Sequence, residues 1–256
     1  MSLPILVWNV RGIGNDPTSR HVKLLCRNHN TLILAILEPM SGSDFHLYCR
    51  KLGFYFGVSN HNNKIWVFWK KCVTRQVLSD NAQSIDMQFS SPIFPTSFST
   101  SFIYAKSTRI ERRDLWNDLR TSAQSFTNMP WLVGGDFNCF LAPEERIGSN
   151  TNRNQDMIEF GQMISDVGLV DAGFEGNSMH TWFRNNLMER LDRILLNGPW
   201  DDLFAKSSSP ISLEFTRPCP FLFHASLTII KTPMAFRYMK MWARHPSFLP
   251  TLWPKV

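Results

Sequence analysis

The apolar positions of this chain fall into short runs separated by polar punctuation. Residues 4–8 (PILVW) and 31–37 (TLILAIL) are continuous apolar runs of strand length, the pattern of strands covered on both faces. The first ends at Asn9 and the second at Glu38. Between them, Arg11 to Asn15 reads as a loop, and Val22, Leu25 and Cys26 predict a helix over 18–29. A helix-like stretch near 43–52 follows, then strand-like runs near 54–58, 64–70 and 73–78. Residues 98–105 (FSTSFIYA) predict a strand that closes on Tyr104. Leu115, Leu119 and Ala123 then recur at helical spacing, so 109–126 should be a surface helix with one buried face. A strand at 131–133 runs into the loop GGDFN, and Met157, Phe160, Ile164 and Val167 line one side of a helix over 152–167. Runs at 179–183, 190–196 and 223–230 complete the predicted strands. Strands alternating with helices, interrupted by hairpins, predict an α/β chain of two sheets flanked by helices.

There is no internal repeat and no low-complexity linker. Residues 231–256 differ in being rich in Pro, Met and Trp, with Lys231, Arg237, Lys240 and Arg244 among them. The expected organisation is one domain over 1–230 followed by a connector or tail. At 256 residues and 43% hydrophobic, the chain can bury a sizeable core, which excludes general disorder. The formal charge of +6 points to an anionic partner such as a phosphate backbone, with a solvated basic face as the plain alternative. Cys26, Cys49, Cys72, Cys139 and Cys219 are odd in number and widely spaced. That argues against a disulfide framework or a zinc site and for a reducing interior. The apolar stretch Leu3–Val10 is too short to span a membrane and carries no cleavable-signal pattern, so an intracellular chain, nuclear or cytoplasmic, is expected.

Four apolar strands thus end on polar groups: Asn9, Glu38, Tyr104, and the Asp136/Asn138 pair. Any one of these is ordinarily a local turn cap. In order along the chain, however, Trp8-Asn9 with Gly12, Leu37-Glu38, Tyr104-Ala105 and Gly135-Asp136-Phe137-Asn138 resemble the motifs of the endonuclease/exonuclease/phosphatase (DNase I-like) family. Thr181-Trp182, Arg190-Leu191-Asp192-Arg193 and His224 continue the series. Finer stretches are similar to the endonuclease domain of plant LINE-type non-LTR retroelements: 136–148 (DFNCFLAPEERIG), 180–186 (HTWFRNN), 190–197 (RLDRILLN) and 236–248 (FRYMKMWARHPSF). The resemblance implies a four-layer α/β (α+β) sandwich, two mixed β-sheets packed face to face and flanked by helices. It also implies Mg²⁺ (or Mn²⁺) as cofactor, DNA as partner, and a monomer.

The residue types suit such chemistry. Phosphodiester hydrolysis delivers an oxygen nucleophile against negative charge, and a hard cation held by one or two carboxylates plus water relieves that charge. By resemblance, Glu38 is the principal metal ligand, with Asn9 beside it. Asp136 orients or deprotonates the attacking water, and Asn138 positions phosphate or water. His224 donates to the phosphate, with Asp192 as the carboxylate that keeps it oriented and charged. Tyr104 contacts phosphate through its hydroxyl, a satisfied core tyrosine being the alternative. Thr181, Trp182 and Arg184 support the substrate face, with packing the competing role for Trp182.

The family's last motif reads Ser-Asp-His where this chain has Leu222-Phe223-His224. Phe has neither donor nor acceptor. The expectation is therefore a nuclease impaired at Phe223, and a gain of activity on Phe223→Asp. The alternatives are an inactive nucleic-acid-binding relic and a phosphatase of the same fold.

Overall fold

The computed structural model describes residues 2–40, 45–148, 153–173, 179–210 and 221–227. In chain order the first half contains β1 (Ser2–Asn9), α1 (Asp16–Asn28), β2 (Ile33–Leu37), α2 (Phe45–Lys51), β3 (Phe56–Ser59) and β4 (Ile65–Trp69). Next come β5 (Thr74–Asp80), β6 (Ser84–Ser90), β7 (Phe98–Tyr104), α3 (Arg109–Ser125) and β8 (Trp131–Asp136). A single 3-10 turn precedes β9 (Arg146–Ile147), α4 (Asn154–Asp166) and β10 (Leu169–Asp171). The remainder is β11 (Trp182–Arg184), β12 (Leu187–Glu189), β13 (Asp192–Asn197), α5 (Gly198–Leu203), β14 (Phe204–Pro210) and β15 (Phe221–Leu227).

Two six-stranded mixed sheets result, ordered β14-β15-β1-β2-β4-β3 and β10-β13-β8-β7-β6-β5, with a small third sheet β11-β12-β9. Each large sheet is built around one parallel pair, β1/β2 and β7/β8, joined by a helical crossover, α1 and α3 respectively. A parallel pair needs such a crossover, and the helix covers one sheet face while the other faces the opposite sheet. Both faces of the central strands are therefore buried, which explains why ILVW, ILAIL and IWVFW are continuous apolar runs. Ile5, Val7, Ile33, Leu37, Val67, Met87, Phe98, Phe102, Leu132 and Phe223 fill the space between the sheets. Leu6, Leu34, Ile36, Trp66 and Phe68 pack outward with Val22 and Leu25 of α1 and Tyr48 of α2. Trp131, Val133 and Leu195 pack with Leu115, Trp116 and Leu119 of α3 and with Phe160 and Met163 of α4. The architecture is the four-layer α/β sandwich expected.

Local signals set the helix starts. Asn15 caps α1 by accepting from the Thr18 N–H at 2.8 Å, with Pro17 in the first turn, and Thr108 caps α3 by accepting from the Glu111 N–H. Gly135 is dictated by close approach: a Cβ there would lie 2.0 Å from the Ile103 carbonyl oxygen of the neighbouring parallel strand.

Several elements differ from the predicted pattern; β9, β10, β12, β14 and α5 are absent from it, and three further differences bear on the sheets. β6 is absent from the predicted strands, although Ile85, Met87 and Phe89 alternate with Ser84, Asp86 and Gln88. Its polar face is buried too, where Ser122 of α3 donates to Asp86 at 2.6 Å. The run at 190–196 begins as strand only at Asp192, because Arg190 and Leu191 form the corner leading from β12. The last strand begins at Phe221, two residues earlier than predicted. The predicted tail, 231–256, lies outside the described residues.

Candidate active site

Because β1, β2, β7 and β8 end at the same edge of the sandwich, their last residues converge. Asn9 closes β1, Glu38 follows β2, Tyr104 closes β7 and Asp136 closes β8. This is the carboxyl end of the parallel strands, where open α/β sheets place their sites. The Asn9 Nδ2 donates to Asp136 Oδ2 at 2.8 Å, which ties the two sheets together. The Asn138 N–H donates to the other Asp136 oxygen at 2.8 Å, and the Asn138 Nδ2 donates to the Ala105 carbonyl at 2.7 Å. Asp192 is the direct antiparallel neighbour of Asp136. Thr181 fixes the entry to β13, its Oγ1 accepting from the Leu191 and Asp192 N–H groups at 3.1 Å each, and its hydroxyl also bonds the Asp192 carboxylate. Tyr104 is half-buried and its hydroxyl bonds the Glu38 carboxylate.

Electrostatics mark the same place. Burial pushes the Asp136 carboxyl up to about 6, against the opposing effect of its bonds from Asn138 and Asn9 and the charge of Arg11. Burial also raises Asp192 well above the usual carboxylate range, reinforced by the charge of Asp136. Burial, then the charge and hydrogen bond of Glu38, raise the Tyr104 phenol. Two buried carboxylates on adjacent strands are destabilised as anions, an arrangement typical of functional sites.

Backbone strain collects here as well. Seven non-glycine residues have positive φ among the described residues. Asn30, Asn63 and Asn185 are of the type that tolerates this region. Of the other four, Arg11 (φ 47), Glu38 (φ 51) and Met40 (φ 45) are not, and with Asn138 (φ 48) all four border the site. The strained loops are held by N–H bonds from Gly12 to the Glu38 carbonyl, from Ile13 to the Pro39 carbonyl and from Glu38 to the Lys64 carbonyl, each 2.9 Å. Strain retained by such cross-bracing is characteristic of sites under functional constraint.

Of the residues singled out in the sequence, the structure therefore brings together Asn9, Glu38, Tyr104, Asp136, Asn138, Asp192 and Thr181. Trp182 stands at the rim on β11, and Arg184 is exposed at the end of the same strand. His224 is not brought into this group by its backbone. In β15 it pairs with Pro4, five residues before Asn9, which is about 16 Å along a strand. Phe223 is opposite Ile5, 1% exposed, and packs on Trp200 at 5.7 Å between ring centres. Phe223, which the motif series aligns with the family's carboxylate, is buried between the sheets in this register.

Arg11 is the residue that sequence reasoning left in a loop. Its N–H donates to Asn9 Oδ1 at 3.2 Å, and its exposed guanidinium lies 5.7 Å from the centre of the Trp182 ring. The signal available in the sequence was its position two residues after Asn9.

Behind the site lies a buried ion-pair network. Arg190 and Arg193 each reach both Glu145 and Asp171, with Arg193 fully buried. Burial alone would raise the Glu145 carboxyl, but the two guanidiniums, Arg193 above all, hold it below the usual range. The network clamps the corner from which Asp192 projects.

The donors at the site are carboxylate and carboxamide oxygens, which suit a hard divalent cation bound through one or two carboxylates with water completing the shell. Among the described residues no group of three or more His, Cys, Asp or Glu forms an all-protein metal cage. No helix among them is long and apolar enough to cross a membrane.

The protein is thus a four-layer α/β sandwich with acidic and amide groups gathered at the carboxyl ends of two parallel strand pairs. Residues 6–212 match the model of the endonuclease/exonuclease/phosphatase family, and the chain belongs to that family. Among solved structures it is similar to the endonuclease domain of TRAS1, a telomere-specific non-LTR retrotransposon, at 10% identity and TM-score 0.66, covering 89% of this chain and 99% of that one. It is also similar to the AP endonuclease LMAP from Leishmania major at 13% identity and TM-score 0.68, covering 89% and 88%. A third similar structure is the 3′ phosphatase NExo from Neisseria bound to a product DNA hairpin, at 14% identity and TM-score 0.64, covering 88% and 99%. At these identities the likeness concerns the fold. No curated protein matches the chain.

Proposed function

We propose that this domain hydrolyses phosphodiester bonds in DNA, nicking one strand in the manner of a retroelement endonuclease, with Mg²⁺ or Mn²⁺ as cofactor. The observation that carries the reading is the convergence of Asn9, Glu38, Tyr104 and Asp136, at the ends of two parallel strand pairs, on one strained and largely buried polar site. The similar nuclease structures and the chain's formal charge of +6 support a polyanionic substrate. The resemblance of 136–148 and 236–248 to plant LINE elements supports the retroelement origin.

In this reading Glu38 holds the cation, and Tyr104 fixes the Glu38 carboxylate by its hydrogen bond. The bound cation supplies charge neutralisation at the phosphoryl oxygens. Asn9 acts from the outer shell, since its amide nitrogen is committed to Asp136 and its oxygen to the Arg11 N–H. Asp136 is positioned by Asn9 and Asn138 to accept a proton from the attacking water, and a carboxyl raised to about 6 is a stronger base than an ordinary aspartate. Asp192 is a second buried carboxyl beside Asp136, its anionic form disfavoured by burial and by that neighbour, which a bound cation would relieve. Asn138 and Arg184 serve phosphate or strand placement.

The test is nicking of supercoiled plasmid in Mg²⁺ or Mn²⁺, with chelator as control. Chelator-sensitive nicking that disappears in Glu38→Gln, with the fold intact by circular dichroism, is the expected result. Nicking that survives both Glu38→Gln and Asp136→Asn would remove this site from consideration. The register of β15, which leaves His224 far from Asp136, favours a second reading: a DNA-binding domain that has lost cleavage. Salt-sensitive DNA binding without nicking is its signature. Release of phosphate from a 3′-phosphorylated oligonucleotide, without nicking, would instead identify a phosphatase.

A further inference from the structure

We infer that Arg11 is the side chain that grips a non-bridging phosphate oxygen of the substrate, and that Trp182 acts by holding the Arg11 guanidinium in place. This rests on the nucleic-acid reading above and adds to it a phosphate-contacting residue and its positioning partner.

Four observations converge on Arg11. Its backbone N–H is bonded to Asn9, which itself donates to Asp136, and its charge lowers the pKa of Asp136, Asp192 and Tyr104. Yet none of these carboxylates pairs with it, and among the described residues no ion pair or side-chain hydrogen bond engages it. Its five N–H donors are thus uncommitted beside a buried acidic site, whereas Arg112, Arg190 and Arg193 are all spent on carboxylates. The third observation is the backbone. Arg11 adopts φ 47, a conformation that costs energy for a long side chain, and the loop is locked there by the bond to Asn9 and the Gly12 and Ile13 bonds to the Glu38 loop. An Arg kept in that conformation, where Asn or Gly would sit without strain, is kept for its side chain. Fourth, the guanidinium rests over Trp182, whose strand is anchored to Asp192 through Thr181. At 5.7 Å the ring is within cation–π range of the guanidinium, an attraction that takes up none of its N–H donors. A planar fork with free donors matches two oxygens of one phosphate. The phosphate bound this way is the one adjoining Asp136, on the side of the cleft bounded by β11.

The alternative role for Trp182 is direct stacking on a base, independent of Arg11. The two are separated by a double-mutant cycle on binding, read in chelator so that no cation or turnover contributes. The probe is a fluorescein-labelled duplex of about 20 base pairs, titrated by anisotropy across 50 to 200 mM salt, the range over which phosphate contacts show their salt dependence. Arg11→Asn is the informative variant, because Asn tolerates φ 47 and removes the charge without adding strain. It should weaken binding on the order of tenfold at the low-salt end and reduce the slope of log K against log salt by about one. Trp182→Ala should lose a comparable amount, Trp182→Phe should recover most of it, and the double variant should be no worse than Arg11→Asn alone. Arg11→Lys should restore the salt slope but not the full affinity, because a point charge replaces a fork.

An unchanged salt slope in Arg11→Asn, with wild type binding normally, would overturn the inference and leave the nucleic-acid reading standing. Additive losses from Arg11→Asn and Trp182→Ala would overturn the positioning role of Trp182. A wild type with no salt-dependent affinity for DNA would overturn the nucleic-acid reading itself, and this inference with it.

Discussion

Replacing Asp136 by Asn should change stability in a way that depends steeply on pH, and the size of that dependence follows from the burial of the carboxylate. In the folded protein the Asp136 carboxyl is raised from an ordinary 3.8 to about 6. Below the ordinary value both folded and unfolded chains hold the proton, and the group contributes no difference. As pH rises through the interval, the unfolded chain ionises first, so ionisation favours unfolding until the folded carboxyl has also lost its proton. Above about pH 6 the penalty is complete, and at about 1.4 kcal/mol per pH unit it amounts to about 3 kcal/mol. Asn at 136 has no such penalty. It does lose acceptance from either the Asn138 N–H or the Asn9 amide, which costs about 1–3 kcal/mol at every pH. The absolute effect of Asp136→Asn at one pH is therefore a balance of two similar numbers, whereas its change between pH 4 and pH 8 isolates the charge.

The assay is urea unfolding of wild type and Asp136→Asn at pH 4, 5, 6, 7 and 8, with chelator throughout. Relative to wild type, the variant should gain about 2.5 kcal/mol between the two ends of the series, most of it between pH 4 and pH 6. Relief of Asp192, which feels the Asp136 charge, would add to the change with the same sign. A difference between the two proteins that stays flat with pH, or that moves against the variant as pH rises, would refute the claim that Asp136 is an energetically costly anion in the fold.

Other substitutions test other layers. Phe223→Asp should destabilise the protein by several kcal/mol in urea unfolding and should not raise nicking, since it places a carboxylate among Ile5, Trp200 and their neighbours; a faster enzyme would restore the active-site reading of Phe223. Gly135→Ala should abolish folding or cleavage, because the added methyl meets the Ile103 carbonyl, and wild-type thermal stability in that variant would contradict the parallel β7/β8 register. Glu145→Ala should destabilise the protein, measured by denaturant midpoint, by leaving two buried guanidiniums to share Asp171 alone, with Glu145→Gln retaining part of the loss. Divalent cation should raise the melting temperature of wild type but not of the Glu38→Gln and Asp136→Asn double variant, and an equal rise in both would place the cation elsewhere.

What was legible in the sequence follows from how each residue is specified. Asn9, Glu38 and Asp136 each follow a continuous apolar run, and Tyr104 closes a strand whose run is broken by Ser99, Thr100 and Ser101. For most of them, strand length and strand end were therefore written in local composition. The four layers were legible for the same reason, since runs such as ILAIL can be satisfied only by cover on both faces. Arg11 was not, because nothing in RGIGN reports a positive φ or a ring 171 positions later waiting beneath the guanidinium. At the end of the chain, motif and register point to different neighbours for a physical reason. FLFH contains an apolar run whose pairing partner is chosen by register, and a strand's register depends on the connection before it. Aligned by motif, Phe223 falls at an active-site position; paired with Ile5, it faces Trp200 in the core. Three-residue strands such as β10 and β12 carry too few residues for a period to show, and α5 is recognisable only through the Asn197 cap and Pro199.

The same comparison bears on how the site is maintained. Residues chosen for the fold sit at ease: the central strands are apolar on both faces, and Arg190 and Arg193 are paired with Glu145 and Asp171. Residues chosen for the site do not, with Asp136 and Asp192 buried as neighbours and Arg11, Glu38 and Met40 held at positive φ. Each departure costs stability by itself, and on the order of 1–3 kcal/mol per strained residue is typical. Packing between the layers has to offset them together. A domain released from any demand on this site would gain stability by exchanging Arg11 for Asn, Met40 for Gly and Asp192 for Asn, each a single substitution. If the site is under functional constraint, the triple variant should melt above the wild type in chelator while losing DNA affinity and any nicking. A triple variant that gained nothing in stability would show instead that these residues are accommodated by the fold without strain, and the case for a site retained at cost would fall with it.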